Sequence, residues 1–128
     1  MKTLHVVALA SVVSFGVGAI AVQGLHAQAK PPAYYIAEVD VSDEDAYSKD
    51  WAPKVAETIK AAVGSYVARG TNIQGIEGTP PKRIAISKWD SMDKLKAWRE
   101  SAAYKSAQPS RDKAVKSVRA YAVEGVAN

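Results

Sequence analysis

From Ala33 to Val41 (AYYIAEVDV) the chain alternates. Tyr35, Ala37, Val39 and Val41 fall on one side; Tyr34, Ile36, Glu38 and Asp40 fall on the other. A period of two in β-branched and aromatic residues predicts a strand with one apolar and one mixed face. The period then changes. Tyr47, Trp51, Val55, Ile59 and Val63 recur every four residues, the apolar stripe of a helix. Ser42 with Asp45 supplies a capping-box-like start, and Gly64 a stop. Pro53 lies inside the stripe and predicts a kink, or a detached first turn.

A second strand is predicted over Ser65 to Arg69, with Ile73 to Glu77 continuing it past a bulge at Gly70-Thr71-Asn72. Gly78-Thr79-Pro80-Pro81 reads as a turn, and Lys82 to Trp89 as a third strand, antiparallel to the second. Ser91 opens a second helix with Leu95, Trp98 and Ala102 on one face. Pro109 predicts a break before a last helical piece, Ser110 to Lys116. Val118 to Val126 alternates again as a fourth strand. The order β-α-β-β-α-β predicts an α+β, ferredoxin-like fold: a four-stranded antiparallel sheet with both helices on one face. The opposite face also carries Tyr and Ile, so it needs a cover. A second copy of the chain, sheet against sheet, is the economical one.

The segment before this pattern reads differently. Met1-Lys2 is a basic start, Leu4 to Val22 an uncharged run of small and apolar residues, and Ala27-Gln28-Ala29 a peptidase-type site. That order predicts a signal peptide over residues 1–29, cleaved after Ala29, and a periplasmic or secreted product. A retained membrane anchor is the rival reading, since the run is just long enough to span a bilayer. Ser11, Ser14, Gly16 and Gly18 dilute the run and favour cleavage, after which no stable membrane association is expected. Residues 30–32 (Lys-Pro-Pro) form a short leader, and residues 33–126 a single domain. Of the 128 residues, 99 remain once 29 are removed, enough for one core of modest size.

Composition narrows the chemistry. The sequence has no cysteine, which excludes disulfides, thiol catalysis and thiolate metal sites. Both histidines, His5 and His26, precede the predicted cleavage point. The domain therefore lacks the commonest general base, transition-metal ligand and haem ligand, and no metal or cofactor is expected. Without Lys2, 16 of the 17 basic residues remain against 13 acidic ones. They are interspersed, without the basic stripe of a nucleic-acid surface.

The ordered set AYYIAEVDVSDEDAY, GSYVARG, IEG, RIAISKWDSMDKLKAWRESAAY, Arg111 and VEG resembles domain-of-unknown-function family 1330. That family belongs to the dimeric α+β barrel superfamily. The resemblance implies a homodimer of ferredoxin-like domains and no particular reaction.

Candidate site residues each carry two readings. Glu38 and Asp40, two apart on a strand, are either a carboxylate pair with one raised pKa or a solvated or salt-bridged sheet edge. Arg69, Arg83, Arg111 and Arg119 either line an anion pocket or pair with nearby carboxylates. Trp89, Trp98, Tyr35, Tyr66 and Tyr104 either wall a ligand pocket or pack the core. Tyr34 and Tyr121 are candidates for the dimer interface. Glu38, Asp40, Arg69, Trp89, Tyr104 and Arg111 are the leading pocket candidates. Two functions follow. One is a homodimeric exported domain that binds a small acidic or aromatic molecule. The other is a cofactor-independent oxygenase or isomerase, with Glu38 or Asp40 as base and an Arg steadying an enolate.

Overall fold

The computed structural model describes residues 30–127. The predicted signal peptide and both histidines lie outside the described residues. Four strands, β1 (Ala33–Val41), β2 (Ser65–Gly70), β3 (Arg83–Trp89) and β4 (Val115–Glu124), form one sheet in the order β2-β3-β1-β4. Every neighbouring pair is antiparallel. The first helix, α1, runs in three pieces: Glu44–Ala46, a π-helical turn Tyr47–Trp51, and Ala52–Ala61. Two more helices follow β3: α2 (Met92–Arg99) and α3 (Ala102–Ala114). The ferredoxin-like β-α-β-β-α-β order is present, with its second helix divided in two. Among the described residues no helix is long and apolar enough to cross a membrane.

Strand parity sets the core. Tyr35 pairs with Ser87 and Ala122, and Ala37 with Ala85 and Ala120, so these residues share one face. The helices deliver Trp51, Val55, Ile59, Leu95, Trp98 and Tyr104 to the core cluster, where Tyr35, Val39 and Trp89 are also buried. Trp98 is its hub. It stacks on Trp89 at 4.8 Å and meets Tyr35 and Tyr104 edge-on at 5.1 and 5.0 Å. Such pairs add about 0.5–1.5 kcal/mol each beyond burial. Its indole N–H donates to Thr58 Oγ1, tying α2 to α1.

Several local expectations are corrected. Asp43, not Ser42, caps α1, accepting from Ala46 N–H. Pro53 does not cut the helix: α1 widens ahead of it. Ala52 N–H donates to the Tyr47 carbonyl five residues back, and Pro53 then sits at the start of the following α-helical piece, where its missing N–H is tolerated. Val63 leaves the apolar stripe and is 78% exposed. It, rather than a glycine, takes the left-handed position at the helix end, with φ 65°. Gly64 is required for a different reason: a Cβ there would lie 2.7 Å from the Trp89 ring.

Ile73 to Glu77 does not extend β2 but belongs to the irregular loop between β2 and β3, and the register shift comes earlier, between Tyr66 and Ala68. The break expected at Pro109 falls instead at Glu100-Ser101, where Ser101 Oγ accepts from Tyr104 N–H and caps α3. Pro109 lies within α3. It and Lys105, whose carbonyl it leaves without a helical donor, are both exposed. Ala102 begins α3 and is exposed, so it is not on the buried face of α2, and β4 starts at Val115 rather than Val118.

Candidate functional site between sheet and helices

The π-turn of α1 turns Tyr47 and Trp51 inward, towards the face of the sheet that carries Tyr35 and Val39. Between them lies a cavity of about 50 Å³, walled by Tyr35, Tyr47, Trp51, Trp98, Tyr104 and Arg111. An apolar cavity that takes benzene is about 150 Å³, so this space holds a few atoms or waters and not a ring. It shares Tyr47, Val55, Tyr66 and Ala85 with a larger groove of about 450 Å³ between α1 and strands β2 and β3. That volume is in the range of small-molecule sites. Ala52, Pro53 and Ala56 contribute apolar lining to the groove, while Arg69 and Arg83 add positive charge.

Two hydrogen bonds brace the tyrosines at the deep end, the cavity. Arg111 Nη1 donates to Tyr104 Oη at 3.1 Å, and Arg99 Nε donates to Tyr35 Oη at 3.2 Å. The Arg99 guanidinium lies over the Tyr104 ring, 4.0 Å from its centre. Burial pushes the Tyr104 hydroxyl up to about 12, with nearby Tyr35 adding to the shift and the two arginines opposing it. Burial likewise raises Tyr47 and Tyr66 against the pull of Arg83 and Arg69 respectively. At neutral pH all three are protonated, so they serve as hydrogen-bond donors or acceptors and not as bases.

At the outer end each arginine is laid on a tyrosine. The Arg69 guanidinium is 4.4 Å from the Tyr66 ring centre, and that of Arg83 is 4.6 Å from Tyr47. Arg83 also holds Glu44 through Nη2, at 3.1 and 2.8 Å to its two oxygens.

Of the residues singled out from sequence, Tyr104 and Arg111 meet at the deep end, and Arg69 lines the groove. Trp89 does not line this space. It is buried behind Trp98, with its N–H on Ser87 Oγ. Glu38 and Asp40 face away from the helices and border a separate depression with Lys82 and Arg119. Glu38 accepts from Tyr121 Oη at 2.7 Å and from Arg119 Nη2 at 2.9 and 3.1 Å. The Tyr121 hydrogen bond, aided by Arg119, holds its carboxyl below the usual value, opposite to what a neutral-pH base needs. Both carboxylates are ion-paired, Asp40 lying 3.6 Å from Lys82, but they sit on β1, an interior strand of the sheet and not its edge. Tyr47 and Trp51 were legible only as helix stripe. The one hint of a further role was a proline two residues past the second aromatic. No group of acidic residues able to hold a metal occurs among the described residues.

The sequence profile of one family, described as a domain of unknown function (DUF1330), matches residues 32–126. The chain belongs to this family. The match spans β1 to β4 and so includes both the cavity and the groove. Among solved structures, a protein of unknown function from Rhodopseudomonas palustris is similar at TM-score 0.62 and 15% identity, over 77% of this chain and 85% of that one. A dimeric ferredoxin-like protein of unknown function from Bacteroides fragilis gives TM-score 0.51 and 13% identity, over 73% and 96%. A cofactor-independent oxygenase from Streptomyces nogalater gives TM-score 0.52 and 8% identity, over 77% and 96%. At these identities the likeness extends to the fold. No curated protein matches the chain.

Proposed function

We propose that this DUF1330 domain is an exported homodimeric binding module for a small aromatic or acidic molecule. The observation that carries the binding reading is the groove of about 450 Å³ itself: a space of ligand size lined by Tyr47, Tyr66, Ala52, Pro53 and Ala56, with Arg69 and Arg83 beside it. A ring would lie in the groove against Ala52, Pro53 and Ala56. Export is supported by the basic, apolar and A-x-A order of residues 1–29. The homodimer is supported by the Bacteroides fragilis protein, a dimer of the same fold, and by the apolar residues on the sheet face that the helices leave open.

The test is tryptophan fluorescence, because Trp51 and Trp98 line the cavity. Benzyl alcohol and benzoate should each perturb the emission saturably, with Kd below about 1 mM, the affinity expected of a weak fragment-sized probe. Ala56→Trp, which fills the groove, should abolish saturation while the thermal melt stays cooperative. Absence of a saturable signal with both probes on the parent protein sinks the reading.

One observation favours an enzyme as the second reading. The Tyr104 hydroxyl, kept protonated and held by Arg111, is a donor suited to a developing oxyanion. The Streptomyces nogalater oxygenase shows that this fold carries cofactor-independent chemistry. Mass spectrometry of a bound ligand after aerobic incubation separates the two: an unchanged ligand leaves binding alone.

A further inference from the structure

Arg83 is poorly used by its own chain. Its side chain is 20% exposed and rests on Tyr47, while its partner Glu44 is 66% exposed in the first turn of α1. Glu44 takes both of its hydrogen bonds from Nη2. Arg83 Nε is buried and has no hydrogen-bond partner among the described residues. A guanidinium binds a carboxylate best through two parallel N–H groups, so this fork is half employed. Arg69 lines the same groove and has no carboxylate partner among the described residues; its guanidinium lies on Tyr66.

We propose that the mouth of the groove is a carboxylate-recognition site. Arg83 and Arg69 receive the acid group of a ligand whose ring lies on the apolar floor, and Glu44 is a resident carboxylate that the ligand displaces. The proposal rests on the binding reading above and orients its ligand: acid outward at Arg83, ring inward. The deep arginine does not compete for the acid, because Arg111 is already committed to Tyr104 and Asp112. A partly exposed ion pair holds Glu44 weakly, so displacement costs little. A ligand carboxylate that takes Nε together with Nη2 satisfies a buried donor that Glu44 leaves unmet.

The experiment compares benzoate with its uncharged isostere benzamide on three full-chain proteins: parent, Glu44→Gln and Arg83→Met. The parent should bind benzoate more tightly than benzamide. Glu44→Gln should tighten benzoate about two- to fivefold, the worth of the competing pair, and leave benzamide within about twofold. Arg83→Met should weaken benzoate by about tenfold or more and spare benzamide. If Arg83→Met loses its cooperative melt, Glu44→Gln decides alone, since it removes only an exposed carboxylate. Equal binding of both probes, unmoved by Glu44→Gln, overturns the carboxylate site and leaves the groove reading standing. Failure of both probes on every protein overturns both.

Discussion

At the scale of single residues, the site is governed by protonation. Tyr104 is 2% exposed, and its hydroxyl is pushed up to about 12, above the ordinary tyrosine value of 10. A raised folded-state value means that the folded protein holds this proton more tightly than the unfolded chain. Its stabilising contribution is complete below about pH 10 and is lost as pH rises towards 12. Denaturant melts at pH 8 and pH 11 should differ by roughly 1–1.5 kcal/mol from this cause. Tyr104→Phe should flatten that difference, although Tyr47 and Tyr66, shifted the same way, leave a residue of it. A Tyr104→Phe protein with the parent's full alkaline loss would show that Tyr104 is not its source. Residue identity told that Tyr104 and Arg111 were candidates. Their contact needed α3 to run unbroken through Pro109 and set them seven positions apart on one face.

At the scale of elements, the lesson lies in how α1 begins and ends. Its stripe of Tyr47, Trp51, Val55 and Ile59 was readable from spacing alone, and all four are buried. The π-turn was not readable, because widening costs one changed hydrogen-bond ladder and leaves the pattern of apolar positions intact. The far end closes by two bonds, Gly64 N–H to the Ile59 carbonyl and Val63 N–H to that of Lys60, with Val63 in the left-handed conformation. A β-branched residue there is strained by about 1–2 kcal/mol, and its exposed side chain returns little burial. Val63→Gly should therefore stabilise the domain by about 0.5–1 kcal/mol, after the added freedom of the unfolded chain is subtracted. Differential scanning calorimetry should show a rise in Tm of a few degrees. A fall in Tm would mean that Val63 makes a contribution its exposure conceals.

At the scale of the whole molecule, the sheet has one face covered by helices and one that no helix of the described residues covers. Tyr121 and Val123 of β4 are 46% and 50% exposed on the open side, where Ile36 pairs with both Ile86 and Tyr121. Charged residues are interspersed there, with Glu38 and Arg119 already paired to each other. We expect two copies to meet across this face. Native mass spectrometry of protein from its own host should give a dimer whose chains begin at Lys30. Ile86→Asp, which places a charge at the centre of that face, should shift it to monomer while the groove keeps its probe response. A parent protein that stays monomeric at tens of micromolar would remove the proposed interface.

Periodicity determined most of the fold by itself. A period of two against one near four assigns strands and helices, and strand parity alone put Tyr35 and Glu38 on opposite faces. Composition determined the chemistry that is absent, since a chain without cysteine cannot build a thiolate site. Tertiary structure decided the site. Tyr47, Tyr66, Arg69, Arg83, Tyr104 and Arg111 come from four elements, and no spacing rule relates one element to another. It also separated Trp89 from the cavity by setting Trp98 in front of it, and it paired Glu38 with Arg119 across β1 and β4. Local pattern records which face a side chain takes. Which partner it finds on that face depends on how elements distant in sequence are packed, and the candidate site is made of such encounters.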